Sequence, residues 1–201
     1  MSLLTLHNIS CQRGYNLLFS DASLTLNSGD ILRITGTNGS GKTSLLKILA
    51  GLNVQEQGTI HLDNDTVKSE AYRRAVFYLG HLPALSSELT CLENLKFLTA
   101  LNQSIIAEIA LVNALEKVGL SGYENEICAK LSAGQKRRVA LASLVLSKAT
   151  VWLLDEPFTA LDPQGVKMVE SCIEAHSKQG GICLFTTHQD SALKNQKVFS
   201  L

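Results

Sequence analysis

Much of what marks a specialised chain is missing from these 201 residues. Lys and Arg total 18, Asp and Glu total 18, and the formal net charge is zero. A chain so balanced lacks the clustered cationic face that nucleic-acid binding needs. Its densest basic run, Lys136-Arg137-Arg138, is too short to make one, and Arg137 and Arg138 read as a solvated helix face. Cys11, Cys91, Cys128, Cys172 and Cys183 are odd in number, and no CxxC or Cys/His ligand spacing occurs among them. Free thiols, buried or half-buried in a reducing compartment, are the expectation. No run approaches the roughly 20 apolar residues that cross a bilayer; VALASLVL (139–146) and VWLL (151–154) are core-sized. The opening MSLLTLHNIS lacks the basic-then-apolar order of a signal peptide. Internal repeats and low-complexity tracts are absent too. A membrane role, on this reading, comes through a partner.

What is present is a chain with 45% apolar residues, long enough for a substantial core. LLTLHNI (3–9), ASLTLN (22–27), DILRITG (30–36) and GTIHLDN (58–64) alternate or run apolar and read as strands. SLLKILAGL (44–52) has helical spacing and stops at Gly51, and AVFYLG (75–80) reads as a strand. From 88 to 147 the pattern turns helical, through LTCLENLKFLTAL, SIIAEIALVNALEKVGL and QKRRVALASLVLSKA. Thr90, with Glu93 three residues on, suits a capping box for the first of these. TVWLLDEP (150–157) and ICLFTTH (182–188) return to strands on either side of the helix GVKMVESCIEAHSKQG (165–180). Alternation about a central sheet predicts an α/β fold with a helical insertion near 86–147.

Two stretches carry chemistry. Gly36-Thr37-Asn38-Gly39-Ser40-Gly41-Lys42-Thr43 matches G-x-x-x-x-G-K-[ST] in full, after a strand and before a helix. Its glycines let backbone amides wrap a phosphate, and the helix start adds free N–H groups. Lys42 is placed to neutralise β and γ phosphates, and Thr43 to ligate Mg²⁺. Dinucleotide spacing is different and has no use for the lysine. VWLLDE then puts Asp155 and Glu156 at the carboxyl end of an apolar strand, the edge where open α/β sheets bind ligands. Asp155 suits the Mg²⁺ shell, and Glu156 suits a general base for water attacking a γ-phosphate. His188, at the end of the last such strand after Thr186 and Thr187, is expected to contact that phosphate or position the water. His7, His61 and His176 are expected at surfaces or edges.

In this order, the loop at 36–43, LSAGQ at 131–135, VWLLDEP at 151–157, ALD at 160–162 and His188 resemble the ABC-type ATPases, the nucleotide-binding subunits of transporters. The likeness runs from residue 3 to about 199. It implies an α/β P-loop NTPase with an ABC-type core sheet, an N-terminal antiparallel β subdomain and an inserted helical subdomain. One domain over 1–201 is expected, with core and β subdomain in 1–85 and 148–201 and the signature loop on a helical subdomain at 86–147. The resemblance also implies ATP and Mg²⁺ as ligands, held by 36–43 and Ser44. Two copies would pack head to tail, each lending Ser132, Gly134 and Gln135 to the γ-phosphate held by the other's Lys42. Asp162, with Ala160 and Leu161, would reach toward the opposite site.

Three positions depart from the family pattern. Ala133 replaces a glycine of the signature, a mild change. His81 stands where most members have a glutamine that senses Mg²⁺ or the attacking water; a plain loop histidine is the alternative. The aromatic that stacks on adenine falls to Tyr15 or Arg13. LFSDASLTLNSGD, NGSGKTSLLKILAGL, YLGH and ELTCLENLKF resemble the branch that serves cytochrome c maturation, often called haem exporters, in which a histidine at 81 is ordinary. That branch implies a peripheral protein on the cytoplasmic face of a bacterial inner membrane. Its partners there are an integral membrane subunit, expected to touch the segment 81–97 and its loop 82–87, and further haem-handling proteins. Another small exporter ATPase, for lipoprotein, lipid or metal, is the alternative; a soluble ABC protein fits less well, for want of a second cassette or a coiled coil.

Overall fold

The structure is a computed structural model that describes residues 2–101, 106–189 and 191–201. By internal contacts the chain divides into two compact units: Met1–Tyr78 with Ala149–Glu156 and Ile173–Leu201, and Leu79–Lys148 with Pro157–Cys172.

The first unit holds two sheets. Strands β1 (Leu3–Arg13) and β2 (Asn16–Asn27) form a long hairpin, and β4 (Gln57–Leu62) and β5 (Asp65–Thr66) extend it antiparallel in the order β2-β1-β4-β5. Both hairpin strands outrun the expected 3–9 and 22–27, because cross-strand pairing continues through polar positions such as Gln12 and Arg13. The second sheet has the order β6-β7-β8-β3-β9, from β3 (Ile31–Thr35), β6 (Val76–Leu79), β7 (Val151–Asp155), β8 (Ile182–Thr186) and β9 (Lys197–Ser200). β7 and β8 are parallel and buried at every residue, as strands covered on both faces must be. Helix α1 (Lys42–Leu49) sends Leu45, Leu46, Ile48 and Leu49 into a core shared with Leu4, Ile9, Leu26, Leu153 and Leu184. A short α2 (Glu70–Ala75), capped by the Ser69 hydroxyl, was not marked by the sequence pattern. His176 is half-buried rather than exposed: it stacks on Trp152 with ring centroids 3.9 Å apart.

The second unit is helical. It contains α3 (Cys91–Leu101), α4 (Glu108–Lys117), α5 (Ala133–Leu146) and the first turns of α6 (Pro163–Lys178). Thr90 and Glu93 form the expected capping box: the Thr90 N–H donates to Glu93 Oε2 at 2.8 Å, and the Glu93 N–H donates to Thr90 Oγ1 at 3.2 Å. The second expected helix was to start at Ser104, which lies outside the described residues. Val139, Ala140, Leu141, Ala142 and Leu144 make α5 buried nearly all round. All five cysteines are free, four buried and Cys172 half-buried. No helix among the described residues is long and apolar enough to cross a membrane.

Candidate functional site

The phosphate loop joins β3 to α1 and is shaped by its glycines. Gly41 precedes the helix with φ 101°, and a Cβ there would lie 2.8 Å from the Phe19 ring. At Gly36, with φ 147°, a Cβ would meet Ser40 Oγ at 2.5 Å and the Leu201 carbonyl at 2.9 Å. Only glycine tolerates both the conformation and the closeness. Lys42 Nζ donates to the carbonyls of Gly36 and Thr37, each at 2.9 Å, so the ammonium sits over the loop. The Ser40 hydroxyl is buried with no hydrogen-bond partner among the described residues. Thr37, Asn38 and Gly39 are exposed at the loop's crest. Ser44, the residue after Thr43 in the helix, is half-buried. An orphaned hydroxyl, a cation and the free amides of a first helical turn make a cradle that fits a polyphosphate.

The acidic pair stands at the carboxyl ends of neighbouring strands. Asp155 ends β7 directly opposite Thr186, which ends β8. The Asp155 side chain is 1% exposed, and its Oδ1 accepts the Thr43 hydroxyl at 3.1 Å and the Thr186 hydroxyl at 2.8 Å. Thr43 and Asp155 thus present hard oxygen donors side by side, a set that fits Mg²⁺. Glu156 leaves the strand with φ 51°, the left-handed region, at a cost of about 1–2 kcal/mol. Its N–H donates to Thr186 Oγ1 at 3.0 Å. The His188 N–H donates to Glu156 Oε2 at 3.3 Å, and His188 Nε2 lies 3.6 Å from Glu156 Oε1. Glu156 and His188 therefore meet, with the carboxylate the more sheltered of the two. Thr186 gains no role from the sequence alone, where it is the first of two threonines closing an otherwise apolar strand.

The signature stretch lies in the second unit. Ser132 is the N-cap of α5 and Gln135 its N3 residue: the Gln135 N–H donates to Ser132 Oγ at 3.2 Å, and the Ser132 N–H donates to Gln135 Oε1 at 2.9 Å. That reciprocal pair is a capping box, which explains Ser and Gln at this spacing before any ligand is considered. Ala133 is exposed, so its methyl meets no packing penalty. Gly134 is different: a Cβ there would lie 2.7 Å from the Ala160 carbonyl oxygen. Ala160 itself is left-handed at φ 62°. Arg137 and Arg138 are no solvated face. Arg137 is 2% exposed and donates to the carbonyls of Gly80 at 2.7 Å and His81 at 3.2 Å. Arg138 bonds the Val118 carbonyl and pairs with Asp162. The Gly165 N–H first, and the Arg138 guanidinium after it, hold the Asp162 carboxyl below the usual carboxylate range. The charges turn inward because the segments flanking α5 leave carbonyls and a carboxylate for them to satisfy.

His81 is exposed, and its described bond is the one its carbonyl accepts from Arg137. In the loop that follows, Leu82 is 79% exposed. Behind it, buried Asn94 accepts the Ser86 N–H and donates to the carbonyls of Ser86, Leu89 and Thr90. Tyr15 stands wholly exposed at the tip of the β1–β2 hairpin, beside Gly14 at φ 59°; Arg13 is exposed as well.

A family model described as ABC transporter matches residues 19–159. The cytochrome c biogenesis ATP-binding export protein CcmA of Saccharophagus degradans is 45% identical, over 98% of this chain and 92% of the relative. The protein of the same name from Pasteurella multocida is 48% identical, over 90% of this chain and 86% of its own length. Among solved structures, a dimeric ATP-binding cassette in a post-hydrolysis state bound to ADP and phosphate superposes with a TM-score of 0.85. It covers 98% of this chain and 94% of its own at 22% identity, a likeness of fold. A P-loop beside paired acids, an antiparallel sheet, a helical unit carrying LSAGQ and relatives alike along nearly their whole length leave one assignment: the chain is an ATP-binding subunit of the ABC transporter family, closely matching the cytochrome c biogenesis ATP-binding proteins.

Proposed function

We propose that this ABC-type ATPase energises a membrane complex of cytochrome c maturation, serving haem export or the release of a haem-loaded chaperone. Identity of 45% over nearly the whole chain to a cytochrome c biogenesis ATP-binding export protein carries that reading. It would act as a peripheral subunit on the cytoplasmic face of a bacterial inner membrane. An integral membrane subunit would receive the exposed loop beginning at Leu82.

The chemistry is ATP plus water giving ADP and phosphate. Lys42 leaves the loop carbonyls for the β and γ phosphates, and the amides of 36–44 follow the phosphate chain. Thr43 and Asp155 would hold Mg²⁺, which would supply charge neutralisation on the phosphate oxygens. Glu156 takes a proton from water as its oxygen attacks the γ-phosphorus. The bond to the bridging oxygen breaks, and ADP leaves with the electron pair. His188 orients that water or the phosphate against Glu156. Ser132 and Gly134 close on the γ-phosphate of a second copy, with Gln135 and Asp162 in support. His81 would stand in for the glutamine that senses Mg²⁺ or the attacking water in most members, and Tyr15 or Arg13 would stack on adenine.

The deciding experiment is complementation of a strain lacking this subunit. Wild type restores holo-c-type cytochromes, whereas Lys42→Ala and Glu156→Gln leave them absent. Normal c-type cytochromes in the deletion strain would refute the haem-linked role while leaving ATPase activity in place.

A further inference from the structure

We infer that Thr186 is a positioning residue for hydrolysis: its hydroxyl locks the Asp155 carboxylate and the Glu156 backbone together and so aims the Glu156 carboxylate. The residue is 1% exposed and follows four buried apolar positions, Ile182 to Phe185. Packing alone would be met by valine, which has the same shape. The hydroxyl does what valine cannot. It donates to Asp155 Oδ1 at 2.8 Å and accepts the Glu156 N–H at 3.0 Å. A hydroxyl has one donor and two acceptor positions, so both bonds form at once.

The second bond matters because of where it lands. Glu156 sits at φ 51°, which a residue with a Cβ adopts only when its surroundings hold it there. Leu153, Leu154 and Asp155 are fixed by register with β8, and the Glu156 N–H is the next amide along. Releasing it lets the backbone relax toward the ordinary right-handed region, which swings Cα–Cβ and carries the carboxylate away from the His188 N–H at 3.3 Å. Asp155 Oδ1 meanwhile accepts the Thr43 hydroxyl at 3.1 Å, so one carboxylate oxygen joins the phosphate-loop helix to β8. Thr186 is thus placed to hold the groups assigned to metal and to base in one register.

The inference rests on the reading of Glu156 as general base, and the test separates the two. In the full chain, Thr186→Val, Thr186→Ser and Glu156→Gln are compared with wild type by steady-state ATPase kinetics. Fluorescent ATP analogue affinity is measured in EDTA and in Mg²⁺. Thr186→Val should lower kcat roughly 10- to 100-fold, the loss expected for one hydrogen bond to a charged group. Affinity in EDTA should stay within about 2-fold, while the affinity gained on adding Mg²⁺ shrinks and KM for Mg-ATP rises with it. Thr186→Ser keeps the hydroxyl but loses a methyl, and should retain kcat within about 3-fold. Equal losses in the serine and valine variants would show a packing role and overturn the inference, as would wild-type kcat in Thr186→Val. Should valine prevent folding, Thr186→Ala lacks the hydroxyl without adding bulk and is read the same way. An inactive Glu156→Gln beside an active Thr186→Val sinks the positioning role alone; an active Glu156→Gln sinks the general-base reading beneath it.

Discussion

Lys42 holds its ammonium 2.9 Å from two carbonyls of its own loop, a cation stored where an anion is to arrive. Lys42→Ala should therefore weaken ATP binding itself, by roughly 10- to 100-fold, the size of a lost charge-assisted hydrogen bond. An ATP titration checks it, and an unchanged affinity would speak against this phosphate loop. Glu156→Gln keeps the shape of the side chain and removes its basicity. Nucleotide affinity should persist while phosphate release falls on the order of 10² to 10⁴-fold, the usual share of a general base. His176 makes a prediction of another kind. Burial beside Trp152 and Gly181 lowers its pKa, since the charged ring would lose its hydration. The unfolded chain takes up that proton near the ordinary histidine value of about 6.5, and the folded chain resists it. Stability contributed at this site is thus complete above that pH and is lost as the pH falls toward the folded value. Urea midpoints for His176→Gln from about pH 7.5 to about pH 5.5 should decline less steeply than those of wild type.

At the scale of single elements, α5 carries two demands at one end. Its capping box needs Ser132 and Gln135, and its approach to the Ala160 carbonyl needs Gly134. Ser132→Ala should cost about 1 kcal/mol of stability through the cap alone. Gly134→Ala should cost about 1–3 kcal/mol, because a Cβ 2.7 Å from a backbone oxygen forces the 158–162 loop to move. Denaturant melts of the two variants separate these effects. Elements of this kind were readable to different degrees. Helices α1, α3 and α5 were legible because their apolar spacing is local, and the Thr90–Glu93 box because its partners are three residues apart. β9 and α2 were not: KVFS is a short, largely exposed edge strand, and six residues are too few for a helical period to show.

For the whole molecule, the signature loop implies a site completed by a second copy. Ser132→Arg should leave ATP binding to the monomer within about 3-fold and abolish turnover, because a bulky cation at the helix start blocks closure rather than the phosphate loop. Glu156→Gln with ATP should run as a dimer on size exclusion, and adding Ser132→Arg should return it to monomer. Monomeric behaviour of the single variant at saturating ATP would remove the composite site. By itself, the amino-acid order determined the phosphate loop, the acid-ended strand, the α/β class and the helical insertion. Each is written in neighbours fewer than about ten residues apart, the reach of backbone periodicity and capping. Only the tertiary structure decided that Thr186 meets Asp155 and Glu156, that Arg137 and Arg138 turn inward, and that His176 lies against Trp152. Those partners stand 20 to 57 residues apart in the chain. Strand register and the carbonyls left unpaired at the ends of strands and helices choose them, and neither is carried by any local pattern.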